Sequence, residues 1–194
     1  KGTPQGGLIS PILANVYLHY VLDKWFEEEI KPRLKGRATL TRFADDFIIM
    51  FQYEEDAKRV YEVLPKRFEK YDLELENSKT KILPFGRLKG NEETFDFLGF
   101  THFNTKGRNG KYTVGHRITN KKKRQKKDNI KKFLKENMHD NIKEVVKKIN
   151  RKLIGMYNYY GINNMLRELY KLYNYTIRMF YVILIRRNQK NNLN

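Results

Sequence analysis

The sequence predicts an α+β fold, in which helices combined with an antiparallel sheet are followed by an all-α helical region. Strand-like runs of β-branched and aromatic residues occur only before about residue 115, and from about residue 119 the apolar residues recur at helical spacing. The charge changes in the same region, because residues 1–100 contain 16 Lys and Arg against 17 Asp and Glu, whereas residues 101–194 contain 24 against 5. We therefore predict two domains, at 1–115 and 116–194.

The first helix is predicted after a glycine-rich loop at residues 2–7, with Ser10 as its N-cap and Pro11 at its first position. Its apolar residues recur at helical spacing and are Ile12, Leu13, Val16, Tyr17, Tyr20, Val21, Leu22, Trp25 and Phe26. The next segment, ATLTRFADDFIIMF at 38–51, has the composition of two short strands that meet at a turn around Ala44–Asp46.

The remaining elements follow the same change of pattern along the chain. Residues 54–71 predict a second amphipathic helix, interrupted or kinked at Pro65, and residues 73–85 and 94–103 predict further strands. After a glycine-rich loop at 104–115 the strand signals end. Three helices are then predicted, at 119–137, 140–156 and 163–187.

The composition indicates a folded and strongly basic protein. The chain has 194 residues, of which 40% are hydrophobic, and its net charge is +18. A charge concentrated in one half is typical of proteins that bind polyphosphates, because each contacted phosphate releases counterions; a solvated lysine-rich surface is the alternative. Without cysteine, a metal must be held by oxygen or histidine nitrogen. The longest apolar run, 179–185, is too short to span a membrane.

Two adjacent carboxylates, Asp45 and Asp46, lie between apolar residues at the predicted hairpin tip. Neighbouring carboxylates repel each other, and an unpaired carboxylate is costly to bury. The pair therefore indicates a positively charged partner. One such partner is a pair of divalent ions, which clamp the attacking and leaving oxygens in phosphoryl transfer. Alternate side chains of a strand point to opposite faces, so we expect a third ligand from elsewhere. The alternative is a polar turn that only closes the hairpin.

Two further patterns are compatible with nucleic-acid binding. The run NKKKRQKKDNIKK at 120–132 places lysines on every side of a helix, which phosphates would neutralise. The tyrosines of YNYYG at 157–161 and Tyr170, Tyr173 and Tyr175 could stack on bases. At helical spacing, however, such aromatic residues more often form the core of a small bundle, and we favour that interpretation.

The chain resembles the reverse transcriptases encoded by group II introns, also called intron maturases. Five segments occur in the family's order: GTPQGGLISPILANVYLHYVLD, RFADDFIIMF, LELENSKTKILPF, FDFLGF and INRKLIGMYNYYG. The resemblance implies a partial polymerase palm with a primer-grip hairpin at 1–115, followed by a helical thumb, or X domain, at 116–194. Gly155, Asn158, Tyr159 and Tyr160 match the family's thumb signature, with Met156 in place of a tryptophan.

The resemblance also implies roles for individual residues. Asp45 and Asp46 match the Y-A-D-D motif as catalytic metal ligands, although Phe43 replaces the tyrosine. Lys79 matches a lysine that neutralises or protonates the leaving pyrophosphate, although Ser78 replaces the usual glutamate. The other implied sets are Pro4, Gln5, Gly6, Gly7, Phe43 and Ala44 for template and substrate, Phe97, Leu98, Gly99 and Phe100 for the primer grip, and Lys121, Lys122, Lys123, Arg124, Lys126 and Lys127 for nucleic-acid binding by the thumb.

The activity implied is RNA-directed DNA polymerisation with two Mg²⁺ ions, or with Mn²⁺, on an RNA template with a DNA primer and dNTPs. Binding of intron RNA as a maturase without polymerase activity is the alternative, and a palm-type nucleotide cyclase is a weaker one. Because the family's upstream catalytic aspartate and fingers are not matched here, we expect these residues alone to extend primers little or not at all. We expect no membrane partner, leave a homodimer open, and expect a bacterial cytoplasmic or organellar location.

Overall fold

The chain forms two compact units. The computed structural model describes residues 9–87 and 93–187, and the units divide after Pro84, into residues 1–84 and 85–194. The boundary predicted near residue 115 falls instead inside a strand, Tyr112–Ile118. Ile118 gives the physical reason, because it is fully buried in a core that the following helices complete. Strand and helices therefore belong to one unit.

Unit 1 is built from helical turns, a hairpin and a second helix. Helix α1 spans Ser10–Leu18 and continues as π-type turns at His19–Lys24 and Phe26–Ile30 and a 3-10 turn at Lys31–Arg33. The hairpin and second helix are β1 at Ala38–Phe43, β2 at Asp46–Phe51 and α2 at Glu54–Glu69. The strands pair antiparallel from Ala38 with Phe51 to Phe43 with Asp46. The prediction of two strands meeting at a turn is confirmed.

The core of unit 1 lies between the π-type turns and α2. The turns bury Val21, Leu22 and Phe26, and α2 contributes Val60, Leu64 and Phe68. The first half of the predicted apolar face is not part of this core, because α1 buries no residue and leaves exposed Ile12, Leu13, Val16 and Tyr17, and because Tyr20 in the π-type turn that follows is exposed as well. The predicted start is also corrected, since the N-cap is Ile9 and Ser10 is the first helical residue.

One prediction after the hairpin was wrong, and another is answered in part. Helix α2 continues through Pro65, so it is not interrupted there, and a kink at this residue stays a prediction. Residues 73–85 form no strand, because their backbone bonds are local, as where the Lys79 and Thr80 amides both donate to the Glu76 carbonyl at 2.9 and 3.0 Å. The alternating pattern has another cause, since Leu73 and Leu75 pack against the core of unit 1 without strand pairing.

Unit 2 combines a three-stranded antiparallel sheet with three helices. The strands are β3 at Thr94–Phe97, β4 at Phe100–Lys106 and β5 at Tyr112–Ile118, in the order β3-β4-β5. The helices are α3 at Asn120–Glu136, α4 at Ile142–Tyr160 and α5 at Leu166–Arg187. Strand β5 was missed, because the glycine-rich segment before it is a tight turn in which the Gly107 amide donates to the Lys111 carbonyl at 2.8 Å.

The core of unit 2 lies among the three helices and the last residue of β5. Its central side chains, Ile118, Leu134 and Met165, are fully buried. The prediction of mixed helices and antiparallel strands followed by helices is confirmed, while the names palm and thumb stay predictions. Within the ranges that the structure describes, no helix is long and apolar enough to cross a lipid bilayer.

Candidate active site

The hairpin of unit 1 ends in a two-residue turn that carries the acidic pair. Pairing stops at Phe43 and Asp46, which leaves Ala44 and Asp45 as the turn. Ala44 has φ of +54°, in the left-handed region, where a side chain with a Cβ costs roughly 1–2 kcal/mol. The surrounding structure must hold Ala44 in this conformation, because a free alanine would leave it.

Both carboxylates are exposed, which corrects the expectation that their surroundings are buried. Asp45, Asp46 and Ala44 are all exposed, and the ring of Phe43 is 64% exposed. The apolar residues that follow are only half-buried at Phe47 and Ile49, where they pack on the core of unit 1. The hairpin therefore has an inner side held by the core and a tip that presents two carboxylates outward.

Arg42 is the basic residue nearest to the pair in the sequence, but its charge is paired with Asp23. Its Nε and Nη2 atoms donate to the two carboxylate oxygens of Asp23 at 2.8 and 2.6 Å. Its Nη1 atom donates to the Asn15 side-chain oxygen and to the Ala44 carbonyl, both at 2.9 Å. The hydrogen bonds from Arg42 hold the pKa of Asp23 below its ordinary value, despite some loss of solvation. Asp45 and Asp46 thus remain available to an external cation.

Asp23 and Asn15 also belong to this site, although neither was predicted from the sequence. A signal was present for Asp23, since it lies between the apolar residues Leu22 and Trp25 on a helical segment, where a charge needs a partner. Its partner Arg42 is 19 positions away, so the sequence pattern could not identify it.

The acidic pair fits a magnesium ion in part. Among residues 9–87 and 93–187, no group of three or more His, Asp or Glu side chains is placed to hold a metal. Mg²⁺ commonly keeps several waters and takes only one or two protein carboxylates together with substrate phosphates. Exposed, adjacent oxygen donors such as Asp45 and Asp46 match that requirement for one ion.

The other residues assigned to this site in unit 1 are not joined to the acidic pair by the described contacts. Lys79 is exposed in a turn at 77–79, where its backbone amide donates to the Glu76 carbonyl at 2.9 Å. The template and substrate residues Pro4, Gln5, Gly6 and Gly7 lie outside the described residues. Their roles stay predictions.

In unit 2, the hairpin assigned to the primer grip is fixed to the end of α4. Leu98 and Gly99 form its turn with φ of +50° and +81°. The Leu98 carbonyl accepts a hydrogen bond of 2.9 Å from the Tyr159 hydroxyl. The ring of Phe100 stacks on Tyr159, with centroids 5.9 Å apart, and meets Tyr160 edge-on at 5.2 Å. The thumb-signature tyrosines therefore position this turn.

The aromatic residues divide between core and surface. Tyr160 is buried, as the preferred interpretation predicts, and Tyr175 is half-buried with the Lys127 ammonium 5.1 Å from its ring centroid. Tyr170 and Tyr173 are 62% and 41% exposed and stack on each other with centroids 6.2 Å apart. Core packing thus accounts for some of these rings, while Tyr170 and Tyr173 remain open to solvent.

The six basic residues assigned to nucleic-acid binding all lie on α3, but their surroundings differ. Lys121, Lys122 and Arg124 are exposed. Lys123 lies 2.5 Å from the largely buried carboxylate of Glu168, to which Lys171 also donates at 2.9 Å. Lys123 thus has an internal partner that the sequence did not indicate. The other two residues of the set, Lys126 and Lys127, are half-buried.

Comparison with known proteins places the acidic pair in a family context. The family model described as reverse transcriptase (RNA-dependent DNA polymerase) matches residues 1–102, which include the β1–β2 hairpin and the turn between β3 and β4. The chain is 32% identical over 97 residues to the group II intron-encoded protein LtrA of Lactococcus lactis subsp. cremoris and to that of its strain MG1363. Each match covers 45% of this chain and 16% of the relative. The resemblance seen in the motifs is confirmed, and the chain belongs to the reverse transcriptase family.

Proposed function

We propose that this chain supplies the catalytic carboxylates and part of the nucleic-acid grip of an RNA-directed DNA polymerase of the group II intron type. The observation that carries the proposal is the exposed Asp45–Asp46 pair, presented on a braced hairpin within the segment that matches the family. The palm and thumb would then correspond to the hairpin region and the basic helices.

The chemistry proposed is nucleotidyl transfer from a dNTP to a DNA primer on an RNA template. Asp45 and Asp46 would hold Mg²⁺, with Mn²⁺ as a substitute, and a second ion would complete the pair. Bound metal supplies electrostatic stabilisation of the charge that develops on the phosphoryl oxygens. The chain's own side chains hold the ions, place the primer end and contribute positive charge, and Lys79 is proposed to act near the leaving pyrophosphate.

Unit 2 supports the nucleic-acid part of the proposal. The turn at Leu98–Gly99 is fixed by Tyr159, so it can present a defined backbone surface to a primer. The exposed cations Lys121, Lys122 and Arg124 lie on one helix, where they would follow a phosphate backbone. Positioning contacts of this kind carry no sequence information and suit a polymerase that copies any template.

A second candidate function is intron RNA binding as a maturase without polymerisation. It is favoured by the surplus charge of unit 2 together with the exposed, mutually stacked Tyr170 and Tyr173, which suit single-stranded or looped RNA. Both functions are compatible with one protein. Homodimer formation and a bacterial or organellar location stay predictions.

The deciding experiment is primer extension on an RNA template with Mg²⁺, comparing the full-length protein that carries this sequence with its Asp45→Asn variant. The substitution keeps the shape and removes the charge, so we expect the rate to fall about a thousandfold with RNA affinity unchanged. The exposed Glu62 on α2 provides a matched control as Glu62→Gln. Extension by Asp45→Asn at the control rate would contradict the proposal, and tight RNA binding by a wild type that never extends would favour the maturase.

A further inference from the structure

One guanidinium in unit 1 connects three separate parts of the chain. Arg42 lies on the inner side of β1, and its side chain is only 12% exposed. It donates to Asn15 in α1, to Asp23 in the following π-type turn and to the Ala44 carbonyl at the hairpin tip. A planar guanidinium can satisfy these acceptors together because its five N–H groups have a fixed geometry.

The bond to Ala44 bears directly on the acidic pair. The Ala44 carbonyl belongs to the peptide group that leads into Asp45, so fixing this oxygen fixes the direction in which Asp45 leaves the turn. Ala44 is also the residue with the left-handed conformation, φ +54°. Arg42 therefore stabilises the one strained residue on which the position of the carboxylates depends.

The bond to Asp23 controls where the charge of Arg42 is used. An unpaired guanidinium two to four positions before the tip could turn toward Asp45 or Asp46 and occupy the oxygens that a metal requires. The two-point contact with Asp23, at 2.8 and 2.6 Å, keeps it on the inner side of the hairpin. His19 adds to the same cluster, with its Nδ1 atom 3.4 Å from the Asp23 carboxylate.

We propose that Arg42 and Asp23 are positioning residues for the Asp45–Asp46 pair, with Asn15 completing the network. Arg42 fixes the turn through the Ala44 carbonyl, and Asp23 keeps Arg42 from neutralising the carboxylates. This inference rests on the proposed polymerase function for its kinetic consequences, but its structural part, an ordered turn, is independent of that function.

The kinetic test uses three variants of the full-length protein: Arg42→Lys, Asp23→Asn and the double variant Asp23→Asn with Arg42→Gln. Misplacement of the carboxylates should lower kcat in each by roughly tenfold to a hundredfold. In Asp23→Asn alone, the released guanidinium should also raise the Mg²⁺ concentration for half-maximal rate several-fold. The double variant should lack that rise and keep the low kcat.

The structural test measures hydrogen exchange of the amides at residues 43–46, with thermal unfolding as a check on folding. The turn amides should exchange at least tenfold faster in Arg42→Lys, while the core amides of α2 keep their protection. The matched control is Lys35→Gln, which removes an exposed ion pair with Glu55 in the same unit and should change neither turn exchange nor kcat.

The outcomes are separable. Unchanged exchange at the turn in Arg42→Lys overturns the inference, whether or not the protein is a polymerase. If the wild-type protein does not extend primers, but exchange at the turn is still faster in Arg42→Lys, the polymerase function is refuted and the positioning network is retained. Equal Mg²⁺ requirements in Asp23→Asn and the double variant would overturn the role of Asp23, and a fall in kcat explained entirely by a lower Tm would overturn the roles of both residues.

Discussion

The two units differ most in how their charges are balanced. Residues 1–84 contain 14 Lys and Arg and 14 Asp and Glu, whereas residues 85–194 contain 26 and 8. In unit 1 the buried or half-buried charges have internal partners, as Asp56 has in the Lys35 and Gly36 amides at 3.2 and 3.0 Å. At the hairpin tip of unit 1, by contrast, Asp45 and Asp46 are exposed.

In unit 2 the acidic side chains are too few to balance the basic ones. Glu168 alone is shared by Lys123 and Lys171, and α3 still exposes Lys121, Lys122 and Arg124. Under the proposed function, the exposed carboxylates at the tip in unit 1 would serve a cation, and the surplus cations of unit 2 would serve a polyanion. That division is what a polymerase needs, with metal binding and backbone binding assigned to different residues.

The largest effect on the free energy of unfolding should follow from truncating a buried side chain in either core. Phe26→Ala in unit 1 and Leu134→Ala in unit 2 each remove a side chain that is 0% exposed and should cost about 3–5 and 2–5 kcal/mol. The two core clusters have no residue in common. Fluorescence of Trp25, the chain's one tryptophan, should therefore report mainly Phe26→Ala in urea unfolding. If the urea midpoints measured by fluorescence and by circular dichroism shifted equally in both variants, the two cores would not be independent.

A smaller but more specific effect should separate the two units in nucleic-acid binding. Replacing Lys121, Lys122 and Arg124 by glutamine should weaken binding to a primer–template duplex about tenfold at low salt. The plot of log affinity against log salt should become less steep, by roughly 0.9 for each phosphate that the variant no longer neutralises. Electrophoretic shift assays over a salt series measure both quantities.

The matched control for this variant lies in unit 1. Arg59, Lys66 and Lys70 are also one arginine and two lysines, and all are exposed on or directly after α2. Their replacement by glutamine removes the same net charge and should change affinity by less than about twofold. Equal weakening in the two triple variants would indicate a general charge effect and would remove the distinction between the units.

The ion pair of Glu168 should contribute to the acid stability of unit 2. Burial raises the pKa of Glu168, but hydrogen bonds from Lys123 and Lys171 outweigh this and lower it. Because the folded pKa lies below the unfolded one, the stabilisation is complete above about pH 4.5 and is lost as the pH falls through the folded pKa. Lys123→Gln should cost about 1–3 kcal/mol at pH 7, and this cost should shrink as the pH falls through the folded pKa of Glu168. A pH-independent cost in urea unfolding would contradict the ion pair.

The smallest expected effect concerns two histidines in the sheet of unit 2. Burial, and then the neighbouring His116, lower the pKa of His102, against opposing effects of Phe97 and Asp96. Folding therefore disfavours the protonated ring, and unit 2 should lose about 1 kcal/mol or less as the pH falls below about 6.5. His102→Phe, which can keep the stacking on Phe95, should flatten this dependence, whereas the exposed His139→Gln should not. Unfolding at pH 7 and pH 5.5 measures the difference.

Several features could be predicted from neighbouring residues alone. The pattern of 38–51 predicted the hairpin and its tip, and the spacing of apolar residues predicted three helices close to those observed. The same local reasoning failed at 73–85, where Leu73 and Leu75 alternate toward a core without a neighbouring strand. It also failed at β5, whose pairing with β4 depends on residues on the far side of a tight turn.

The sequence by itself determined that an acidic pair ends a hairpin and that basic helices follow, because turn composition, apolar spacing and charge act over a few neighbouring residues. Only the tertiary structure decided which charges are free. Arg42 stands beside the acidic pair in sequence, yet its guanidinium binds Asp23, and Lys123 stands in a run of lysines, yet Glu168 neutralises it. Long-range partners are selected by packing, and in this chain that selection leaves Asp45 and Asp46 exposed.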